Sequence, residues 1–232
     1  TSVKGCGDAL ISTVNPGEKF ESFADFVFKK RYGKGVLEAL IYAGAFDCFN
    51  KNRKMLTVHA AYLNKKLEDI KKVEKTISTD VAIKQILHVK SAELKAAGEN
   101  WKKIFEAENI SLKVKNLPKV DSVTNKIEKN MQKLDELKRD FFSFAPSVEK
   151  DDPRFNLAKE KEVLGLYISG HPTDYYEKPE YALQINKLTA NKQIETGTFG
   201  IISNLQIKNK KADGKPMAFF TLEDNSGSID VK

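Results

Sequence analysis

Three groups of residues have types and spacings that could do chemistry. In Gly5-Cys6-Gly7 two glycines flank one small residue, with Lys4 just before them. Glycines so placed let the chain turn sharply and approach another surface closely, and the first amides of a following helix then point where they favour an anion. A plain helix N-terminal turn uses the same residues, so the motif alone carries both readings. Nearer the C-terminus, Lys208, Lys210, Lys211 and Lys215 surround Phe219. There charge can attract phosphate while a ring stacks on a base. The alternative divides Phe219 and Phe220 between core and surface. The third group is Lys138-Arg139-Asp140-Phe141-Phe142, followed by Phe144 and Pro146. An apolar cluster at a helix end is either a docking peptide or a plug tucked into the core.

None of these groups makes or breaks bonds. Asp151-Asp152 precedes Pro153 and reads as a solvated turn, and no other acidic cluster suits two-metal chemistry. His59, His88 and His171 have no matched spacing. There is no Gly-x-x-x-x-Gly-Lys-Ser/Thr loop and no Ser/His/Asp arrangement. Cys6 and Cys48 lie far apart without a CxxC pair, which predicts reduced thiols in a cytoplasmic protein and no metal site. The segment is expected to be inactive alone and to carry no cofactor.

Elements of two textures must position these residues. The 232 residues are 41% hydrophobic and 31% charged, enough for a real core, and no apolar run approaches the ~20 residues that span a bilayer. The net charge of +7 is concentrated: residues 51–120 hold 16 Lys/Arg against 8 Asp/Glu. This basic block suits a polyanion partner, and equally a soluble helical surface. Phe20, Phe23, Phe26, Val27 and Tyr32 fall at helical spacings, Gly33-Lys34-Gly35 reads as a break, and Val36 to Asp47 as the next helix with its stop. Helical patterns follow from Lys51 to about Glu108, with 111–118 extended. A helix over 121–142 carries Ile127, Met131, Leu134 and Leu137. Glu160 to Ile168 is a helix-friendly lead-in ending in an apolar run, stopped by Ser169-Gly170-His171-Pro172. Beyond it, strands are predicted over 196–208, 217–224 and 228–231, with Asp213-Gly214 and Asn225-Ser226-Gly227 as turns.

Val163-Leu164-Gly165-Leu166-Tyr167-Ile168-Ser169-Gly170-His171-Pro172 resembles the segment preceding the OB domain in the alpha subunit of bacterial DNA polymerase III. Gly5-Cys6-Gly7, Phe23-Ala24-Asp25-Phe26, Leu37 to Asp47, and Asn52-Arg53 with Leu56 are similar, in that order, to the same family's tandem helix-hairpin-helix region. The resemblance is good over about 1–60 and 160–232 and thin over 61–137. It implies a mostly α fold with a small β part: a helix-hairpin-helix region (1–60), a lysine-rich helical subdomain with a candidate clamp peptide (61–155), a helical joint (156–195) and the first three strands of an OB-fold (196–232). It further implies duplex phosphate held near Lys4, Gly5, Cys6, Gly7 and Lys34, and single strand held by Lys208, Lys210, Lys211, Lys215 and Phe219. A sliding clamp would dock on Lys138, Arg139, Asp140, Phe141 and Phe142, with other replisome subunits nearby and no membrane. The chain departs from the family at Lys138, where the clamp peptide begins with Gln, and at Cys6, where an aliphatic residue is usual. Beginning inside one motif and stopping inside another, it is expected to be a piece of a longer chain whose missing palm would hold Mg²⁺. The rival expectation is a non-catalytic helical interaction module with a solubilising basic surface. A nuclease or ligase fragment fits less well, for want of an acidic cluster or a nucleotide-binding lysine motif.

Overall fold

The computed structural model describes residues 3–7, 10, 13, 15, 17–50, 52–147, 149–188, 196–211 and 214–232. The helix predicted after Gly7 falls largely on residues outside that set. The chain forms two compact units: a helical unit (14–38 and 48–149) and a mixed unit (1–13, 39–47 and 150–232). As the sequence predicts, helices come first and strands last.

In the helical unit, α1 (Phe23–Lys30) buries Phe23, Ala24, Phe26 and Val27. Ser22 Oγ accepts the Asp25 amide at 3.1 Å as its N-cap, and Arg31 (φ 53°) closes it. Arg31 then forks onto the Glu74 carboxylate at 3.0 and 3.2 Å. Helix α2 (Lys34–Tyr42) begins earlier than predicted. Only Gly33 lies outside it, and its carbonyl accepts the Leu37 amide, so Lys34 and Gly35 form the first turn.

Helix α3 (Arg53–Val89) runs 37 residues unbroken, about 55 Å at 1.5 Å per residue. Leu56, Ala60, Leu63, Leu67, Ile70 and Val73 are buried along it at spacings of three and four. After α4 (Ser91–Ala97), a 3₁₀ turn (Gly98–Trp101) and α5 (Lys102–Ala107), the chain crosses 111–118 without regular structure and returns as α6 (Val120–Ser143). α6 lies antiparallel on α3: Lys66 pairs with Asp140, while Val123 joins Ile83, Ile86 and Leu87 in one cluster. Spacings of three and four on both partners are those of a coiled-coil seam. Its far end is a knob with its own core, where Leu94, Trp101 and Phe105 pack on Ile83, Ile86, Leu87 and Val123.

In the mixed unit, α7 (Pro153–Leu164) starts on Asp152, whose Oδ1 accepts the Arg154 amide at 3.0 Å, with Pro153 at the first helical position. The acidic pair read as a solvated turn is thus a helix start, and Asp151 accepts from the Asn156 side chain at 2.9 Å. The helix ends at Leu164, not at Ile168. Gly165 takes φ 77° and its amide returns to the Lys161 carbonyl. The carboxylate of Glu160, 0% exposed, accepts the amides of Ile168 (2.6 Å) and Ser169 (2.9 Å) and the Ser169 hydroxyl (2.7 Å). It holds 165–169 as a loop. His171 caps a 3₁₀ turn (Pro172–Tyr175): its Nδ1 accepts the Thr173 amide, and its own amide donates to Asp174.

β1 (Ala182–Leu183) pairs in parallel with β2 (Gly197–Thr198). β3 (Ile201–Asn209), β4 (Pro216–Asp224) and β5 (Gly227–Val231) form an antiparallel meander in the order β3-β4-β5, with an irregularity between Ser203 and Gln206 where Asn204 has φ 54°. Asp224 organises the last turn: Oδ1 accepts from Ser226 and Gly227, and Oδ2 from the Ile185 amide. Burial opposes its charge, but these hydrogen bonds outweigh burial and hold the carboxyl below the usual carboxylate range.

Candidate nucleic-acid interface

The N-terminal glycines do form a tight turn. The Cys6 amide donates to the Val3 carbonyl at 2.9 Å across Gly5, whose φ of 93° belongs to the left-handed region that glycine adopts without strain. A Cβ at Gly5 would sit 3.6 Å from the Ala39 Cβ, an ordinary contact, so the backbone angle rather than space demands glycine. The Lys4 amide donates to the Val163 carbonyl at 2.8 Å, hooking the turn onto the last turn of α7. The Lys4 and Cys6 amides are therefore engaged within the protein. The exposed Lys4 side chain adds positive charge. Glu162 is held below the usual range chiefly by its hydrogen bond from Lys159, with a smaller contribution from Lys4. Burial pushes the Cys6 thiol up, against nucleophilic use.

The same helix anchors the sheet. Lys161, two residues before the Val163 carbonyl that receives the Lys4 amide, places its Nζ 3.2 Å from the Glu223 carboxylate near the end of β4. One face of the meander carries Gln206 and Lys208 on β3 beside Met217, Phe219 and Thr221 on β4, because Gln206 pairs with Phe219 and Lys208 with Met217. The Lys208 and Lys232 ammonium groups lie 5.8 and 5.6 Å from the Phe219 ring centroid. Asn204, Gln206, Lys208, Phe219, Thr221 and Asp230 line a shallow groove of about 310 Å³ on this face. Thr221 receives the Asn204 amide at 3.4 Å and donates to Asp230 at 2.9 Å. A half-buried ring between two cations, with amide and hydroxyl groups alongside, can take a base against the ring and phosphate against the lysines. Lys210, Lys211 and Lys215 lie at the β3–β4 turn, exposed, closed by the Lys210 amide on the Lys215 carbonyl at 2.8 Å.

Lys232, Gln206 and Asn204 were not singled out from the sequence. Two-residue alternation puts Gln206 with Lys208, but placing Lys232 beside Phe219 needs the β4–β5 register, which no sequence signal supplies. Lys34 belongs to the helical unit, exposed at the start of α2 and 3.6 Å from Glu38.

Lys138 to Phe142 occupy the last two turns of α6, not an extended peptide. Phe141 is 0% exposed and meets Phe28 edge-on at 5.5 Å, which is the placement of a core plug. Phe142, 47% exposed, flanks both rings, at 5.3 Å from Phe28 and 5.2 Å from Phe141. Lys138 lies over Phe28 at 6.0 Å, Asp140 pairs with Lys66 at 3.1 Å, and Arg139 is exposed. Beside this cluster Tyr62 stacks on Phe144 at 3.6 Å, and His59 sits between Phe23 and Phe144 at 5.5 and 5.7 Å. Among the described residues no group of three His, Cys, Asp or Glu is placed to hold a metal, and no helix is long and apolar enough to cross a membrane.

The turn at Gly5, the α2 region and the start of α3 belong to a segment that known families describe: residues 1–56 match the helix-hairpin-helix motif. The whole chain in turn is similar to a segment of DNA polymerase III subunit alpha. It is 29% identical to that of Aquifex aeolicus over 98% of this chain, and 28% identical to that of Pseudomonas aeruginosa over 99%. A shorter match, 43% identical, covers 78 residues or 32% of the chain in the subunit from Pseudomonas fluorescens. The chain spans only 14% and 18% of the length of the first two relatives, and 6% of the third. The first two matches include 61–137, where the resemblance read from motifs was thin.

Proposed function

We propose that this chain is a DNA-holding segment of a replicative DNA polymerase alpha subunit. The observation that carries the reading is the whole-length similarity to DNA polymerase III alpha subunits, with a helix-hairpin-helix match over 1–56. The turn of Lys4, Gly5, Cys6 and Gly7 holds duplex backbone phosphate, and Lys34 of the helical unit makes a phosphate contact of its own, positioning without reading bases. The lysine-rich helices add salt-sensitive attraction. The β3–β5 meander is the opening of an OB-type barrel, and its Lys208, Phe219 and Lys232 face, with Lys210, Lys211 and Lys215 at the turn, takes template single strand. Nucleotide addition, and the Mg²⁺ it requires, belong to the palm of a longer polymerase rather than to this segment, which works with other replisome subunits.

The end of α6 is the clamp-facing surface in this reading. Burial of Phe141 limits the surface that can make the contact: Phe142, Arg139 and Lys138 face the clamp while Phe141 anchors them. Phe142→Ala is then expected to lower retention on the polymerase's sliding clamp without unfolding the chain; undiminished retention would move the contact elsewhere. Binding to primed duplex DNA across a salt series tests the main proposal. Affinity should fall steeply with salt. Affinity absent at low salt, or flat with salt, would leave the non-catalytic interaction module.

A further inference from the structure

The knob at the far end of the α3/α6 hairpin carries a cationic edge distinct from the residues assigned above. From Ile110 to Val120 the chain contains Lys113, Lys115 and Lys119 and no acidic residue. All three lysines are exposed, and among the described residues none has an ion partner. The backbone beneath them is fixed: Ile110, Leu112, Leu117 and Val120 pack against the cluster of Leu94, Trp101 and Phe105. The apolar residues of the segment thus anchor it, and the charges sit on a backbone already ordered before any partner arrives. The neighbouring acids differ in state: Glu108 is taken by Lys90 at 2.7 Å, while Asp121 lies just beyond the segment.

We infer that Lys113, Lys115 and Lys119 form a phosphate-contacting edge for nucleic acid, at the end of the helical hairpin remote from Asn52. The inference rests on the DNA-holding reading and extends it to a surface that the helix-hairpin-helix match, ending at residue 56, does not reach. Ammonium groups on flexible stems suit phosphate as point charges and read no sequence. A protein partner would need a buried aromatic or arginine anchor at such a site. Residues 110–120 contain neither.

The test uses the full 232-residue chain and a primed duplex. Neutralising Lys113, Lys115 and Lys119 together to Gln should reduce the slope of log affinity against log salt by about 2 to 3, at ~0.9 per phosphate contact, and weaken low-salt binding at least tenfold. Lys29, Lys30 and Lys159 changed together to Gln serve as the equal-charge comparison, because each lies outside the basic block and is already paired with a carboxylate; that variant should keep the slope within about 1. A photoreactive benzoylphenylalanine in place of the exposed Asn116 should crosslink to the DNA. Steep salt dependence in the parent chain with an unchanged slope in the Lys113/Lys115/Lys119 variant, or no crosslink, would overturn this edge while leaving the DNA-holding reading intact. No DNA binding by the parent chain would overturn both. A crosslink that poly-glutamate captures in preference to DNA would assign the edge to an acidic protein and overturn the inference.

Discussion

Replacing Glu160 isolates the interaction that turns the chain from α7 into the loop before the strands. Its carboxylate accepts three hydrogen bonds at 2.6 to 2.9 Å while fully buried, two of them from backbone amides eight and nine residues ahead. Hydrogen bonds to a charged acceptor contribute about 1.5 to 3 kcal/mol each, so even at the low end three give ~4.5 kcal/mol before any solvent recovery. Ile168 is 66% exposed, so its amide regains water once the carboxylate is gone. That recovery brings the expected loss for Glu160→Ala to about 3 kcal/mol. Glu160→Gln keeps the size and one acceptor oxygen but loses the charge, and should cost about 1 to 2 kcal/mol. Urea unfolding followed by fluorescence measures both, and hydrogen exchange at the Ile168 and Ser169 amides supplies the local readout. Protection at those amides should be present in the parent chain, reduced in the Gln variant and absent in the Ala variant. An Ala variant within about 0.5 kcal/mol of the parent, or unprotected amides in the parent itself, would refute the reasoning.

Phe141→Ala should destabilise the helical unit by about 3 to 5 kcal/mol and Phe142→Ala by less than about 1.5, since only the first is fully buried; equal losses in urea unfolding would contradict the packing described. Burial holds the His59 imidazole below its ordinary pKa, with the Phe144 backbone carbonyl offsetting part of the effect. The unfolded chain therefore takes up this proton first, near pH 6.5, so stability is complete above that value and declines as the pH falls toward the folded-state pKa. His59→Leu should flatten that part of the profile between pH 7 and 5, and an unchanged difference in unfolding free energy would remove His59 from the account. Gly200→Ala places a Cβ 2.5 Å from the Glu223 carbonyl oxygen, a backbone atom, so β3 and β4 must move apart at a cost of about 1 to 3 kcal/mol. An unshifted thermal midpoint would show that the strands adjust without cost.

Helix α6 was legible to within one residue at each end because its apolar positions recur at three and four and its polar positions are strongly charged. The meander was legible for a similar reason, alternation punctuated by glycine turns. The unbroken length of α3 was not: Ser78-Thr79-Asp80 lies where a helix could stop, and only packing against α6 carries the helix through. The end of α7 was misplaced by four residues. Leu166, Tyr167 and Ile168 continue a helical pattern, and nothing local reveals that Glu160 draws the Ile168 and Ser169 amides inward. Of the candidate interface, the glycine turn and Lys208 with Phe219 were visible in residue types. The engagement of the Lys4 amide by the Val163 carbonyl, and the second cation at Lys232, depend on a partner far away in the chain or on strand register. The same holds for Phe141: its composition fits a docking peptide and a core plug alike, and the ring of Phe28 distinguishes them.

An antiparallel pair of helices starts and finishes in one place. The chain leaves for the knob at Arg53 and comes back by Ser143, beside the aromatic cluster it set out from. Deleting seven residues from α3 and seven from the facing stretch of α6 would shorten the excursion by about 10 Å while keeping the seam in register and both attachment points fixed. The reach of this arm is thus a quantity that can be set in paired heptads, independently of everything at its base.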